Sequence, residues 1–206
     1  MHSVRSWGVW AGKAAVLGLL TAAPQAQAAN DPLSASQLNE PVQARFDPVI
    51  RQTIVTGAIP SDGCFSFSLP DEWHMSAEGL TSALSDMQVV VGLRSAQELR
   101  GMPQPDLVSR DAAFLQRDYE EMLGRPAQSV SLTSSAGAAR WSATWIDANL
   151  PTASKAMTVE TLIVPLSSQW VLELSLTGIE SREAYDALAQ QLLARLKLRG
   201  GASCQG

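Results

Sequence analysis

The chain predicts an α+β domain, a mostly antiparallel β-sheet of about six strands flanked by helices. Three observations carry that reading. Apolar and polar residues alternate along several segments, two other segments show helical spacing with marked ends, and the strand-like runs of the second half succeed one another through short turn-forming stretches.

The chain opens with a leader rather than with the domain. Met1–Lys13 carries Arg5 and Lys13 with no acidic residue, and the apolar run Ala14–Ala23 comes next. Pro24 breaks it, and Ala26 and Ala28 are the small residues a signal peptidase reads, so residues 1–28 are expected to be a cleavable signal peptide. An apolar run of about ten residues is well short of the roughly 20 that a membrane-spanning helix needs. Residues 29–62 are rich in Pro, Ser, Asn, Asp and Gln and read as an N-terminal arm, in which the amphipathic stretch Val42–Val55, interrupted by Pro48, is expected to form a short helix. The domain proper is expected over residues 63–206.

From Cys64 the texture changes. In Cys64–Leu69, Phe65, Phe67 and Leu69 fall on one face of a strand and Ser66 and Ser68 on the other, and Pro70-Asp71 ends it before a turn at Glu72-Trp73-His74. Ser76–Ser85 reads as loop or one helical turn, and Met87–Leu93 as a second strand. After a loop at Gly101–Asp106, Ser109 is the expected cap of a helix with Asp111 in its first turn. Leu115, Tyr119, Met122 and Leu123 recur at helical spacing, and Gly124 and Pro126 end it.

The second half reads as four strands and a helix. Gln128–Thr133 and Ala138–Ile146 are joined by a tight connection at Ser134–Gly137, and Met157–Leu166 and Trp170–Thr177 come after them, with loops at Asn149–Ser154 and Ser167–Gln169. Along the second of these strands, Ala139, Trp141, Ala143 and Trp145 share one face, and Arg140, Ser142 and Thr144 the other. The last helix is capped by Ser181, with Glu183 and Asp186 at its positive end and Arg195, Lys197 and Arg199 expected at its negative end. Tyr185, Leu188, Leu192, Leu193 and Leu196 form its apolar stripe, and Gly200 and Gly201 close it.

Charge and cysteine content exclude several classes. Loss of Arg5 and Lys13 with the leader would take the whole-chain net charge of −5 to about −7, which argues against nucleic acid and anionic membrane surfaces. Cys64 and Cys204 are the only cysteines, and export permits them to form one disulfide. In the chain-entropy model such a bond, closing a loop of about 140 residues, would stabilise the fold by up to roughly 4 to 5 kcal/mol. With His74 the only histidine beyond the leader, no metal site is expected. No phosphate loop, dinucleotide fingerprint or calcium loop occurs, so no cofactor is expected.

The segment Phe65-Ser66-Phe67-Ser68-Leu69-Pro70-Asp71-Glu72-Trp73, an aromatic strand followed by Pro, an acidic residue and Trp, together with the terminal amphipathic helix, resembles the PsbP-like family over roughly residues 64–198. That family includes the photosystem II extrinsic protein, a Ran-binding nuclear import factor and bacterial exported proteins of the DcrB-like kind. The resemblance implies an α/β/α sandwich and a binding or assembly role without a catalytic set.

Trp141 and Trp145, about 13 to 14 Å apart along their strand, are expected to fill the space between sheet and helix. The opposite face, Arg140, Ser142 and Thr144, is then the expected partner surface, with a groove beside Trp73 and His74 as a further candidate. His74 next to Glu72 and Asp71 could be read as a catalytic imidazole, but no nucleophile elbow accompanies it, and a solvated turn histidine is the simpler account. Asp118, Glu120 and Glu121 read as a solvated helix face rather than a glycosidase pair. The function expected is that of a non-enzymatic periplasmic or secreted accessory protein. It would present a sheet face or groove to an envelope protein or a small apolar ligand, with no nucleic acid, no membrane insertion after processing and an open oligomeric state. The alternatives are an envelope inhibitor or immunity protein against a toxin or wall hydrolase, and a hydrolase with a minimal site around His74.

Overall fold

A computed structural model describes residues 42–60, 62–135, 137–146, 156–179 and 181–200. The leader, the cleavage site, the loop Asn149–Ser154 and Cys204 lie outside the described residues.

Strand pairing begins earlier than the composition implies. Gln43–Asp47 (β1) and Gln52–Ile59 (β2) form an antiparallel hairpin, and β2 pairs along its whole length with Gly63–Pro70 (β3). The helix expected over Val42–Val55 is therefore a hairpin. Pro48 falls in its turn, where Asp47 accepts a hydrogen bond from the Val49 backbone at 2.9 Å and Arg51 takes a left-handed conformation. Thr53, Val55 and Ile59 are β-branched and buried at alternate positions, a pattern that serves a half-buried strand better than a helix. In β3 the expected face is present, with Phe65, Phe67 and Leu69 all buried.

Pro70 and Asp71 turn the chain out of this sheet into a second one. Asp71 sits at φ 59°, its backbone N–H donates to the Arg51 carbonyl at 3.0 Å, and its carbonyl accepts from the buried Thr53 hydroxyl at 2.9 Å. The same hydroxyl accepts from the Trp73 backbone N–H at 3.0 Å, so one threonine clamps both sides of the corner. Beyond the corner the chain is strand rather than turn: Trp73–Ser76 (β4), Gly79–Ser82 (β5) and Gln88–Ser95 (β6) form an antiparallel meander.

After a short 3-10 helix at Glu98–Gly101, the first α-helix (α1) spans Leu107–Leu123. Its cap is Asp106, three residues before the Ser109 expected from sequence. The Asp106 carboxylate accepts from both the backbone and the hydroxyl of Ser109, at 2.9 and 2.8 Å, and these two bonds hold its carboxyl below the usual range. Gly124 ends the helix in the left-handed conformation at φ 64°.

Ser129–Ser135 (β7), Ala138–Ile146 (β8), Ala156–Pro165 (β9) and Trp170–Thr177 (β10) form a second antiparallel meander that joins the first through β6 and β10. The larger sheet thus has the order β4-β5-β6-β10-β9-β8-β7. Ser181 caps the second helix (α2, Arg182–Arg195), as expected, through a 3.1 Å bond from the Ala184 backbone. The helix then stops earlier than its sequence pattern implies, because Lys197–Arg199 (β11) turns back to pair with β3 and completes the smaller sheet β1-β2-β3-β11. Eleven strands in two sheets, all pairings antiparallel, replace the single sheet of about six among the described residues.

The larger sheet is covered on both faces. On one, Leu162, Val164, Leu172, Leu174 and Leu176 pack with the inner face of the smaller sheet and with Tyr185, Leu188, Ala189 and Leu192 of α2. On the other, Trp141, Trp145, Ile163 and Val171 pack beneath α1. The tryptophans are core residues, as anticipated, at 1 % and 0 % exposure. Their rings converge from the strand spacing to 6.5 Å between centroids, and the Tyr119 ring of α1 lies against both at 5.8 and 5.6 Å. Truncation of such a ring leaves a cavity the surrounding sheet cannot close, so Trp145→Ala is expected to lower unfolding stability by about 3 to 5 kcal/mol. A shift in urea midpoint equivalent to less than about 1 kcal/mol would show that α1 does not rest on this side chain.

Candidate functional site

Beneath α1 lies a cluster that sequence reading passed over. Arg94 of β6, Glu173 of β10 and Asp111 of α1 are all buried, and the Arg94 Nε stands 2.6 Å from Glu173 Oε1 and 3.2 Å from Asp111 Oδ1. Room for the Glu173 carboxylate comes from Gly92, its direct partner across the strand pair, where a Cβ would meet Glu173 Oε2 at 2.9 Å. The Phe114 ring faces the Arg94 guanidinium at 4.1 Å and the Arg117 guanidinium at 4.8 Å. Burial, and then the adjacent Glu173 carboxylate, push the Asp111 carboxyl up to about 9 against the opposing pull of Arg94. Asp111 therefore keeps its proton at neutral pH, and the guanidinium is matched to a single carboxylate. Asp111 was expected merely in the first turn of a helix; its role depends on Arg94 and Glu173, 17 and 62 positions away, and no local signal marks it.

The residues singled out from sequence separate into three kinds. Trp73 belongs to the core, at 3 % exposure, with its indole N–H donating to the Pro70 carbonyl at 2.7 Å. Strand alternation in β4 turns Trp73 inward and His74 outward, and the imidazole lies 4.0 Å from Glu72 Oε1. Cys64 is buried on the face of β3 opposite Phe65, directly across from Arg199. Arg140 is half-buried and holds α2 in place. Its guanidinium donates to Asp186 and lies 4.4 Å over the Tyr185 ring, while Arg182 bonds Glu160 at 2.7 Å, so four charged groups tie the start of α2 to β8 and β9. The hydrogen bond from Arg140 holds the Asp186 carboxyl below its ordinary range. Tyr185 is shifted the other way, to about 12, chiefly by burial.

Ser142 and Thr144 remain on an open surface, and register enlarges it. Ser131 stands opposite Ser142, Ser129 opposite Thr144, and Thr158 opposite Thr144 on the other side, where the two threonine hydroxyls are 3.0 Å apart. With Thr133 opposite Arg140, three adjacent strands present serine and threonine hydroxyls on one face. Neighbours on it are about 4.8 Å apart across strands and about 6.8 Å apart along them. The ion network at Arg140 and Glu160 bounds it on the α2 side. On the opposite face of the same edge, Val130 and Leu132 are exposed at 42 % and 40 %. Leu132 also lines a groove of about 510 Å³ with Val108, Ala138, Ala139 and Pro165, between the start of α1 and the β7–β8 hairpin.

The chemistry open to this surface is hydrogen bonding by neutral hydroxyls. Among the described residues there is no group of three or more His, Cys, Asp or Glu placed to hold a metal ion, and no helix long and apolar enough to cross a membrane. Comparison with family models, with characterised proteins and with solved structures finds no match to this chain.

The buried cluster sets the sign of a pH dependence. The folded state holds the Asp111 proton up to about pH 9, whereas an unfolded aspartate releases it at about 3.9. The associated stability is present in full below about pH 4 and is lost as pH rises toward 9. Asp118, which burial also pushes up, acts in the same sense, while Asp106 and Asp186 act below about pH 4 and Tyr185 above the window. Urea midpoints of the native chain should fall between about pH 5 and 9, and those of Asp111→Asn should fall less steeply. Parallel curves for the two proteins would show that Asp111 does not carry the proton.

Proposed function

We infer that this chain is a non-enzymatic exported accessory protein that holds a protein partner of the cell envelope on the hydroxyl-bearing face of β7, β8 and β9. The observation that carries the reading is the β7 end of the larger sheet, left uncovered on its α2 face among the described residues. Six hydroxyl side chains, of Ser129, Ser131, Thr133, Ser142, Thr144 and Thr158, share one face there, with no apolar layer above them among the described residues. A surface of neutral donors and acceptors fits a polar protein partner, since each hydroxyl both donates and accepts and imposes no charge. Export rests on the Met1–Ala28 pattern. A PsbP-like scaffold is supported by a sheet with α1 on one face and α2 on the other, and by Trp73 anchoring the strand that comes after Leu69-Pro70-Asp71-Glu72. The Cys64–Cys204 pairing is supported by β11, which brings Arg199 opposite Cys64 five residues before Cys204.

Two measurements test this. A photoreactive amino acid placed at Ser142 in the native host should give one discrete adduct that Thr144→Arg abolishes, whereas the same probe at the exposed Leu84 should give none. Equal labelling from both positions, or adducts indifferent to Thr144→Arg, would remove the face as a binding surface. Intact mass of the purified mature protein should correspond to a start at Ala29 and rise by two hydrogens on reduction; retention of Met1–Ala28 would remove the export reading.

A further inference from the structure

We propose that β7 is a self-association edge, at which two copies of this chain pair antiparallel to form one sheet running through both molecules. Among the described residues β7 ends the larger sheet and pairs only with β8, and Ser129–Ser134 are all exposed. A terminal strand presents a row of unpaired backbone donors and acceptors, and natural edges are usually blunted by charge, proline or brevity. The other three edges are blunted. β4 has four residues, β1 carries Arg45 and Asp47, and β11 has three residues, of which Lys197 and Arg199 are charged. The seven residues of β7 include no charge and no proline.

Two-fold pairing chooses among these edges by charge. Any antiparallel self-pairing about a central residue sets each side chain against its mirror position. About Leu198, β11 would oppose Lys197 to Arg199 of the second copy, and about Arg45, β1 would oppose that arginine to itself; like charges directly opposite are destabilising. About Ser131, β7 opposes Val130 to Leu132 of the second copy and Ser129 to Thr133. The two exposed apolar side chains thus cover each other on the α1 face, the hydroxyls meet on the other, and two acidic molecules approach along an uncharged line. Strand alternation preserves this segregation only in a register centred on a residue of the strand, where opposite side chains lie on the same face. Two seven-residue edges bury on the order of 1,000 Å² or less in total, the range of weak, reversible interfaces. The dimer also doubles the hydroxyl face, but it does not depend on that face having a partner.

Sedimentation of the purified mature protein between about 1 µM and 1 mM should show reversible dimer formation. Val130→Lys with Leu132→Lys sets like charges opposite each other twice and should leave the protein monomeric over that range. Val130→Lys with Leu132→Glu places an equal load on the fold but sets opposite charges face to face, and should dimerise with an affinity that falls as salt rises. Ser131→Cys should oxidise to a covalent dimer, and Ser129→Cys should not. A native protein monomeric at about 1 mM, or a dimer indifferent to the double lysine substitution, would overturn the proposal. The hydroxyl-face reading is scored separately by adduct formation at Ser142, which neither double substitution touches.

Discussion

The structure depends on covering both faces of one wide sheet. β10 stands at its middle, and its Val171, Leu172, Glu173 and Leu174 are buried in succession, so neither face there can be left to water. Seven strands at about 4.8 Å spacing span roughly 29 Å, whereas a helix with its side chains is about 10 Å across. α1 alone therefore cannot cover one face, nor α2 the other. On the α2 side the deficit is met by the smaller sheet, whose Phe65, Phe67 and Leu69 extend the apolar layer toward β4. On the α1 side the only described additions are Leu99 of the 3-10 helix and Ala127, and cover gives out before β7, where the sequence turns to serine and threonine on one face and leaves Val130 and Leu132 half-exposed on the other.

Two polar devices fix this layering. At the corner between the sheets, one buried threonine hydroxyl serves Asp71 on one side and Trp73 on the other, so the chain changes sheets at a defined residue. Beneath α1, the Arg94–Glu173–Asp111 cluster joins β6, β10 and the helix. A buried ion pair is costly to desolvate and is weak evidence for stability. What it does is set position, because Arg94 stands within ion-pair distance of Glu173 and Asp111 together only when α1 lies in one orientation on the sheet. The proton on Asp111 makes the arrangement tolerable, since two ionised carboxylates against one guanidinium would leave a net charge inside. The Arg140–Asp186–Arg182–Glu160 network does the corresponding work for α2 nearer the surface, where solvent screens it.

Where local pattern sufficed, sequence reading and structure agree. β8 runs Ala138–Ile146 as expected, with Trp141 and Trp145 inward; Ser181 caps α2; Gly124 ends α1. Disagreement falls where a distant partner outweighed a local signal. Lys197–Arg199 continue a basic helix end by their own pattern, yet β3 offers ladder hydrogen bonds and they pair with it. Val42–Val55 shows mixed amphipathicity that fits a helix until β3 supplies the apolar surface for Val55 and Ile59. Trp73 and His74 look alike as turn residues, and only the pairing of β4 with β5 assigns one to the core and the other to solvent.

The same division holds for the candidate surface. Alternation along β7, β8 and β9 is written in the sequence and determines that Ser142 and Thr144 share a face, that Trp141 and Trp145 share the other, and that β7 carries no charge, because side-chain direction in a strand follows from the backbone repeat alone. Which strand ends the sheet, how far each covering layer reaches, and which carboxyl keeps a proton were decided only by tertiary structure. Each of these depends on groups brought together from distant parts of the chain, and the free energy of covering or pairing them is a property of the assembled layers.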